Sequence, residues 1–132
     1  FGDYMKRASF ADEIGRYSYP IDIHPSNGSK AGMEEFAKMT REARYRPGES
    51  YGIPYRALIA KGFGNLLAAG RCIGTDELVQ SSVRVIPCCY ITGQAAGAAA
   101  ALAARAGGAV REVDFKLLRD TLRTQGAYVP EV

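Results

Sequence analysis

Hydrophobic and polar residues alternate along two stretches of the chain. Tyr and Ile occupy every second position in residues 17–24, and apolar side chains recur in the same way in residues 51–59. A period of two residues is typical of a strand with one buried face, so we predict a strand at each stretch. Pro20 has no N–H to donate to a neighbouring strand and favours a sheet edge for the first of them.

A short apolar run predicts a third strand. Residues 66–70 are Leu-Leu-Ala-Ala-Gly and follow a turn rich in glycine. Such a run is typical of a strand that is buried on both faces. We therefore expect it to lie inside a larger sheet.

Three further stretches predict helices. Residues 33–44 carry apolar side chains at i, i+3, i+4 and i+7, which is typical of an amphipathic helix. Residues 85–104 contain no charge and predict a long, deeply buried helix with Pro87 in its first turn. Few of these residues are large and apolar, so we do not expect a membrane span. Asp114 is suited to cap a third helix that ends before Gly126.

The long predicted helix carries one face of small residues. Gly93, Ala96, Gly97 and Ala100 lie on this face. Side chains of this size let another backbone approach closely. We therefore expect the face to be tightly packed.

Composition excludes several classes of protein. The chain has 132 residues, enough for one domain, and its 17 basic and 14 acidic residues are interspersed, which argues against nucleic-acid binding. The three cysteines are an odd number and two of them are adjacent, which argues against a disulfide framework, and with one histidine they are too few for a structural zinc site. We therefore predict reduced thiols, no metal and a cytoplasmic location. A start without Met indicates either a processed chain or a piece of a longer one.

Five short motifs follow one another along the chain. They are Ile-Pro-Tyr-Arg at 53–56, Asn-Leu-Leu-Ala-Ala-Gly-Arg-Cys at 65–72, Ser-Val-Arg-Val at 82–85, Gly-Gln-Ala-Ala-Gly at 93–97 and Gln-Gly-Ala-Tyr at 125–128. In order and spacing they resemble the C-terminal segment of FAD-dependent oxidoreductases related to the glutathione reductase and fumarate reductase flavoproteins.

The resemblance implies a fold and a division of the chain. The fold class is α+β, a C-terminal fragment of an α/β FAD-binding fold with a few strands, a buried Ala/Gly-rich helix and a C-terminal helix. Residues 1–60 would be strands and a short helix of a substrate-domain-like part. Residues 61–132 would be the C-terminal part of the FAD-binding domain.

The resemblance also implies a set of cofactor-binding residues. They lie at the end of the third predicted strand and around the start of the long helix, and are Ala69, Gly70, Arg71, Ser82, Val83, Val85 and Ile86. Arg71 stands where many relatives carry an acid, and a guanidinium can pair with a phosphate. The N–H groups at the helix start would stabilise negative charge on the reduced flavin. The alternative is a structural ion pair for Arg71 and an ordinary loop and helix start for the others.

Two residues are candidates for the catalytic machinery. His24 would act as an acid or base toward the substrate, and Arg56 would anchor an anionic or polyhydroxylated substrate. The alternatives are an exposed or structurally hydrogen-bonded histidine and a solvated arginine on a strand.

The predicted function is hydride transfer between an unknown small-molecule substrate and FAD in the full-length protein. The glycine fingerprint that binds the pyrophosphate does not occur in the sequence. We therefore expect the N-terminal FAD-binding region as a partner, and a chain that alone binds no FAD, is inactive and self-associates. Nucleic acids and membranes are not expected partners. The alternative is a non-catalytic α+β protein-interaction module.

Overall fold

The computed structural model describes residues 1–131 and is of the predicted α+β class. The helices are α1 (Gly2–Met5), α2 (Lys30–Glu42), α3 (Glu77–Val83), α4 (Ile86–Arg105) and α5 (Phe115–Thr124), and the strands are β1 (Glu13–Tyr17) and β2 (Tyr51–Pro54). Short 3-10 turns lie at Tyr55–Leu58, Gly70–Cys72 and Val110–Glu112. One core contains residues from both predicted parts of the chain.

The sheet consists of β1 and β2, which run antiparallel with Tyr17 opposite Tyr51. Glu13 is fully buried in β1, and its carboxylate pairs with Arg16 at 2.9 Å. A Cβ at Gly52 on the facing strand would lie 1.9 Å from this carboxylate. Because glycine has no side chain, Gly52 leaves room for the buried ion pair of Glu13 and Arg16.

The predicted strand over residues 17–24 is wrong, because β1 ends at Tyr17. The segment that follows is held by side chains of α3 and not by a neighbouring strand. Ser82 donates a hydrogen bond to the Tyr19 carbonyl at 2.6 Å, and the Asp22 N–H donates to the Ser81 hydroxyl at 3.1 Å. These hydroxyls satisfy backbone groups that a sheet would otherwise pair.

The other two predicted strands are shortened or absent. β2 ends at Pro54, and the chain turns into a 3-10 helix at Tyr55–Leu58. The predicted buried strand over residues 66–70 is wrong: an isolated bridge joins Leu67 to Ile59, and Leu66 is 45% exposed. A strand buried on both faces needs neighbouring strands and cover, and residues 1–131 supply neither here.

The predicted helices are confirmed with shifted ends. α2 begins earlier than predicted, because the Ser29 hydroxyl caps it by accepting the Gly32 N–H at 3.1 Å. In α5 the Asp114 carboxylate accepts the Leu117 N–H at 3.0 Å, and Gly126 follows with a φ of 85°. Both ends are therefore determined by local capping.

The predicted deep burial of α4 is wrong, because the helix contributes only one face to the core and leaves Ile86 and Tyr90 exposed. Its buried residues are Cys88, Thr92, Ala95, Ala99 and Ala103, and it contacts β1 and α5. The predicted tight packing of the small-residue face is wrong within residues 1–131, because a Cβ built at Gly93 or Gly97 would meet no atom within 4 Å. By length and composition α4 would suffice to cross a membrane, a test that core helices also pass.

Candidate functional site

An open groove of about 750 Å³ lies at the start of α4. The residues that line it are Tyr17, Tyr19, Asp22, Arg71, Arg84, Val85, Ile86 and Pro87. Three of the predicted cofactor-binding residues, Arg71, Val85 and Ile86, thus lie together. The other four, Ala69, Gly70, Ser82 and Val83, do not line it, and the role of all seven as cofactor contacts stays a prediction.

The first turn of α4 has no side-chain cap. Val85 is the N-cap residue, and Pro87 occupies the first turn. The N–H groups of Ile86 and Cys88 therefore have no acceptor within the helix, and the positive end of the helix dipole lies in the same place. This end of the groove favours an electron-rich or anionic group.

Two arginines border the groove. The Arg71 Nε donates to the Arg84 carbonyl at 3.1 Å, and Arg71 forms no ion pair with residues 1–131. Arg84 donates to the Asp22 carbonyl at 2.9 Å and lies 3.8 Å from the Asp22 carboxylate. The charge of Arg84 is partly balanced, whereas that of Arg71 remains available to a ligand.

Two tyrosine rings form another wall of the groove. Tyr17 and Tyr19 stack with ring centroids 6.4 Å apart and an interplanar angle of 17°. Burial raises the pKa of Tyr17 to about 12, with smaller contributions from the nearby Cys88 and Cys89 thiols and from Tyr19. The Tyr17 phenol is therefore protonated at neutral pH and can donate a hydrogen bond.

Two predicted cofactor-binding residues, Ala69 and Gly70, lie behind the groove. Gly70 has a φ of 62°, and its N–H donates to the Thr92 hydroxyl at 2.9 Å. A Cβ at Gly70 would lie 3.6 Å from the Cys89 sulfur. The half-buried Ala69 precedes it. This turn positions Arg71 against α4. The Gly70 N–H already has Thr92 as its acceptor, so it is not free to bind a ligand.

Two further predicted cofactor-binding residues, Ser82 and Val83, are buried in α3. The Ser82 hydroxyl lies 2.8 Å from the Tyr51 hydroxyl and bonds the Tyr19 carbonyl. Val83 is part of the core. Their side chains do not line the groove. Ser82 instead fixes Tyr19, which does.

The predicted catalytic residues lie outside the groove. His24 is exposed, and its side chain makes no hydrogen bond with residues 1–131. Arg56 pairs with Asp12 and stacks over the Phe10 ring at 4.8 Å. The structure does not bring His24 and Arg56 into contact with each other. Their catalytic roles stay predictions.

Sequence reasoning missed the side chains that complete the groove. Arg84 belongs to the Ser-Val-Arg-Val motif at 82–85 and lies two residues before α4, so the sequence did indicate its place near the groove. Tyr17 and Tyr19 reach the groove through the chain path after β1, which no local pattern indicates. Across residues 1–131, no cluster of His, Cys, Asp or Glu could hold a metal ion.

Comparisons with known proteins give one match. No curated protein and no solved structure matches the chain significantly. A family model described as FAD dependent oxidoreductase matches residues 2–122, which is most of the sequence. The chain therefore belongs to the FAD dependent oxidoreductase family.

Proposed function

We propose that this chain supplies the flavin-facing part of an enzyme that transfers hydride between a small-molecule substrate and FAD. Family membership brings FAD as the cofactor. The observation that carries the proposal is the groove at the start of α4, where Arg71, Val85 and Ile86 meet an uncapped helix end.

The donors of the groove fit the chemistry of a flavin nucleotide. The free Ile86 N–H and the helix dipole suit the electron-rich edge of the flavin ring. Arg71 suits a phosphate, since guanidinium groups form charge-assisted hydrogen bonds with phosphate oxygens. The stacked rings of Tyr17 and Tyr19 offer a flat surface to a planar ring.

Each residue would have a separate task. The Ile86 N–H and the positive end of the α4 dipole would stabilise negative charge at the ring edge. Arg71 would hold the phosphate or ribityl end, and Arg84 would keep Arg71 and residue Asp22 in place through its carbonyl and guanidinium. When bound, FAD supplies the hydride acceptor.

The remainder of the cofactor site belongs to another region in this proposal. The sequence contains no glycine fingerprint for the pyrophosphate. We propose that an N-terminal FAD-binding region completes the site and covers the exposed small-residue face of α4. Without it the chain would bind no FAD, would be inactive and would self-associate, and we propose that it acts in the cytoplasm.

A non-catalytic interaction module is the second candidate. Its support is the exposed apolar surface of α4, where Ile86 is 60% and Tyr90 is 74% exposed. Contiguous apolar surface of this kind marks interaction sites. The same surface is expected in the first proposal, so exposure alone does not favour the second.

The test compares flavin binding by the full-length protein and its variants. We expect the wild-type protein to absorb visible blue light and Arg71→Ala to weaken FAD binding by about 1.5–3 kcal/mol. Arg105→Ala, at the far end of α4, is the matched control and should bind FAD normally. A protein that purifies without flavin, or an unchanged dissociation constant for Arg71→Ala, would contradict the proposal.

A second measurement addresses the chain by itself. Equilibrium dialysis of the 132-residue chain with FAD should show no stoichiometric binding, and sedimentation should show oligomers. A monomer that binds one FAD would show that the chain contains a complete site.

A further inference from the structure

A second cleft, of about 470 Å³, lies between α2 and the segment that follows β1. Phe36, Thr40, Arg44 and Tyr45 line one side, and residues 18–23 line the other. We propose that this cleft binds a small organic carboxylate, with Arg44 as its charge partner.

The Arg44 guanidinium is free to bind a ligand. Its side chain forms no hydrogen bond or ion pair with residues 1–131. Its backbone is held, because Arg7 donates a hydrogen bond to the Arg44 carbonyl at 2.7 Å. A fixed backbone and an unpaired guanidinium at a cleft favour a carboxylate, which guanidinium groups bind through two parallel hydrogen bonds.

The surrounding charges leave Arg44 without a competing acid. The acidic residue in the cleft lining, Asp22, lies 3.8 Å from Arg84. The Arg7 guanidinium lies 4.5 Å from the centroid of the Tyr45 ring, and that ring lines the cleft. The charge of Arg7 is paired with the Glu49 carboxylate at 3.2 Å. The charge of Asp22 is thus partly balanced by Arg84, and the positive charge of Arg44 is paired with no acid among residues 1–131.

The other groups in the cleft offer both apolar and polar contacts to the body of the ligand. The Thr40 hydroxyl donates to the Phe36 carbonyl at 3.0 Å, and the Tyr45 hydroxyl donates to the Tyr4 carbonyl, so neither has a donor to spare. Ile21 and Phe36 offer half-buried apolar surface. Ser18 and Tyr19, which both carry a hydroxyl, line the cleft as well, so a carboxylate on a small apolar or aromatic body, with room for a polar substituent, matches this arrangement.

The cleft adjoins the groove at the start of α4, because Tyr19 and Asp22 line both. A carboxylate bound at Arg44 would thus lie across one chain segment from the proposed flavin site. The idea that this carboxylate is the substrate of the hydride transfer rests on the proposed function. The proposal that Arg44 binds the carboxylate is independent of it.

The experiment measures binding of benzoate to the purified protein by isothermal titration calorimetry, without flavin. We expect saturable binding of benzoate and weaker binding of the neutral benzamide. Arg44→Gln should weaken benzoate binding by about tenfold to a hundredfold, the loss expected for a charge-assisted hydrogen bond. Arg44→Lys keeps the charge without the paired donors of a guanidinium, so its affinity for benzoate should lie between those of the wild type and Arg44→Gln.

Two control variants test whether the loss of benzoate binding is specific to Arg44. Arg41→Gln removes an exposed, unpaired arginine of α2 that does not line the cleft, and it should bind benzoate like the wild type. Arg71→Ala should also leave benzoate binding unchanged, which separates this site from the groove. Absence of saturable benzoate binding, or equal losses for Arg44→Gln and Arg41→Gln, would overturn the proposal and leave the flavin proposal standing.

Discussion

Helices α2 and α4 are the two longest in the molecule, and they contribute to its core very differently. Helix α2 buries none of its 13 residues, and Met33 on its apolar face is 55% exposed. Helix α4 buries Cys88, Thr92, Ala95, Ala99 and Ala103 and contacts β1, α5 and three 3-10 turns. Helix α4, which has small side chains and no strongly polar face, packs at the centre of the protein. The amphipathic helix α2 lies at its edge.

The difference shows what each helix depends on. The buried alanines Ala95, Ala99 and Ala103 let neighbouring elements approach α4 on its core face, so α4 is held by tertiary packing. Helix α2 is held by its own turns and by the Ser29 cap, with a loop segment along part of one side. Substitutions around α4 should therefore change the stability of the whole protein, whereas substitutions in α2 should act locally.

The largest effect is expected where α5 packs on α4. Leu118 is fully buried in α5, so Leu118→Ala should lower the free energy of unfolding by about 2–5 kcal/mol through lost burial and a new cavity. Met33→Ala in α2 should change it by less than about 0.5 kcal/mol. Urea unfolding followed by circular dichroism measures both. Similar losses for the two variants would mean that α2 also belongs to the core.

A smaller effect is expected from the two faces of α4. Ala99 is fully buried, so Ala99→Leu should overpack the core and cost about 1–3 kcal/mol. Ala101 lies on the exposed face, and Ala101→Leu should leave the unfolding free energy nearly unchanged. If Ala101→Leu destabilises as strongly in the isolated chain, then self-association buries that face, and sedimentation of the variant would show it.

Thr92 connects α4 to the turn that carries Arg71, and its hydroxyl is the next position to test. Thr92→Val keeps the shape but leaves the Gly70 N–H without its acceptor, which should cost about 1–3 kcal/mol. Thr92→Ser keeps the hydroxyl and is the matched control. Amide exchange at Gly70 should accelerate in the Val variant and stay slow in the Ser variant. Slow exchange in both would mean that the hydrogen bond does not hold this turn.

Features determined within one or two helical turns could be predicted from the sequence. Pro87 at the start of α4 and the Asp114 cap of α5 are of this kind, and both are confirmed. The pairing of strands could not be predicted, because β1 and β2 lie far apart in the sequence. The residues after Tyr17 alternate like a strand, yet their partners are Ser81 and Ser82, some sixty positions later.

The groove shows the same division. Arg71, Val85 and Ile86 were inferred from the resemblance to FAD-dependent oxidoreductases, which rests on the order of motifs along the chain. The tyrosine wall of Tyr17 and Tyr19 depends on how the chain leaves β1, and no period or spacing encodes that path. Residues brought together by tertiary contacts therefore had to come from the structure.

The smallest effect concerns the cap of α2. The Ser29 hydroxyl accepts the Gly32 N–H, and Ser29→Ala should cost the helix about 0.5–2 kcal/mol. Because α2 buries no residue, this loss should appear as faster amide exchange in its first turn, with the unfolding of the whole protein unchanged. Asp114→Ala removes the equivalent bond from α5, whose Leu118 and Leu122 are in the core, so it should lower the global unfolding free energy. Equal global losses for the two variants would show that α2 unfolds together with the rest of the protein.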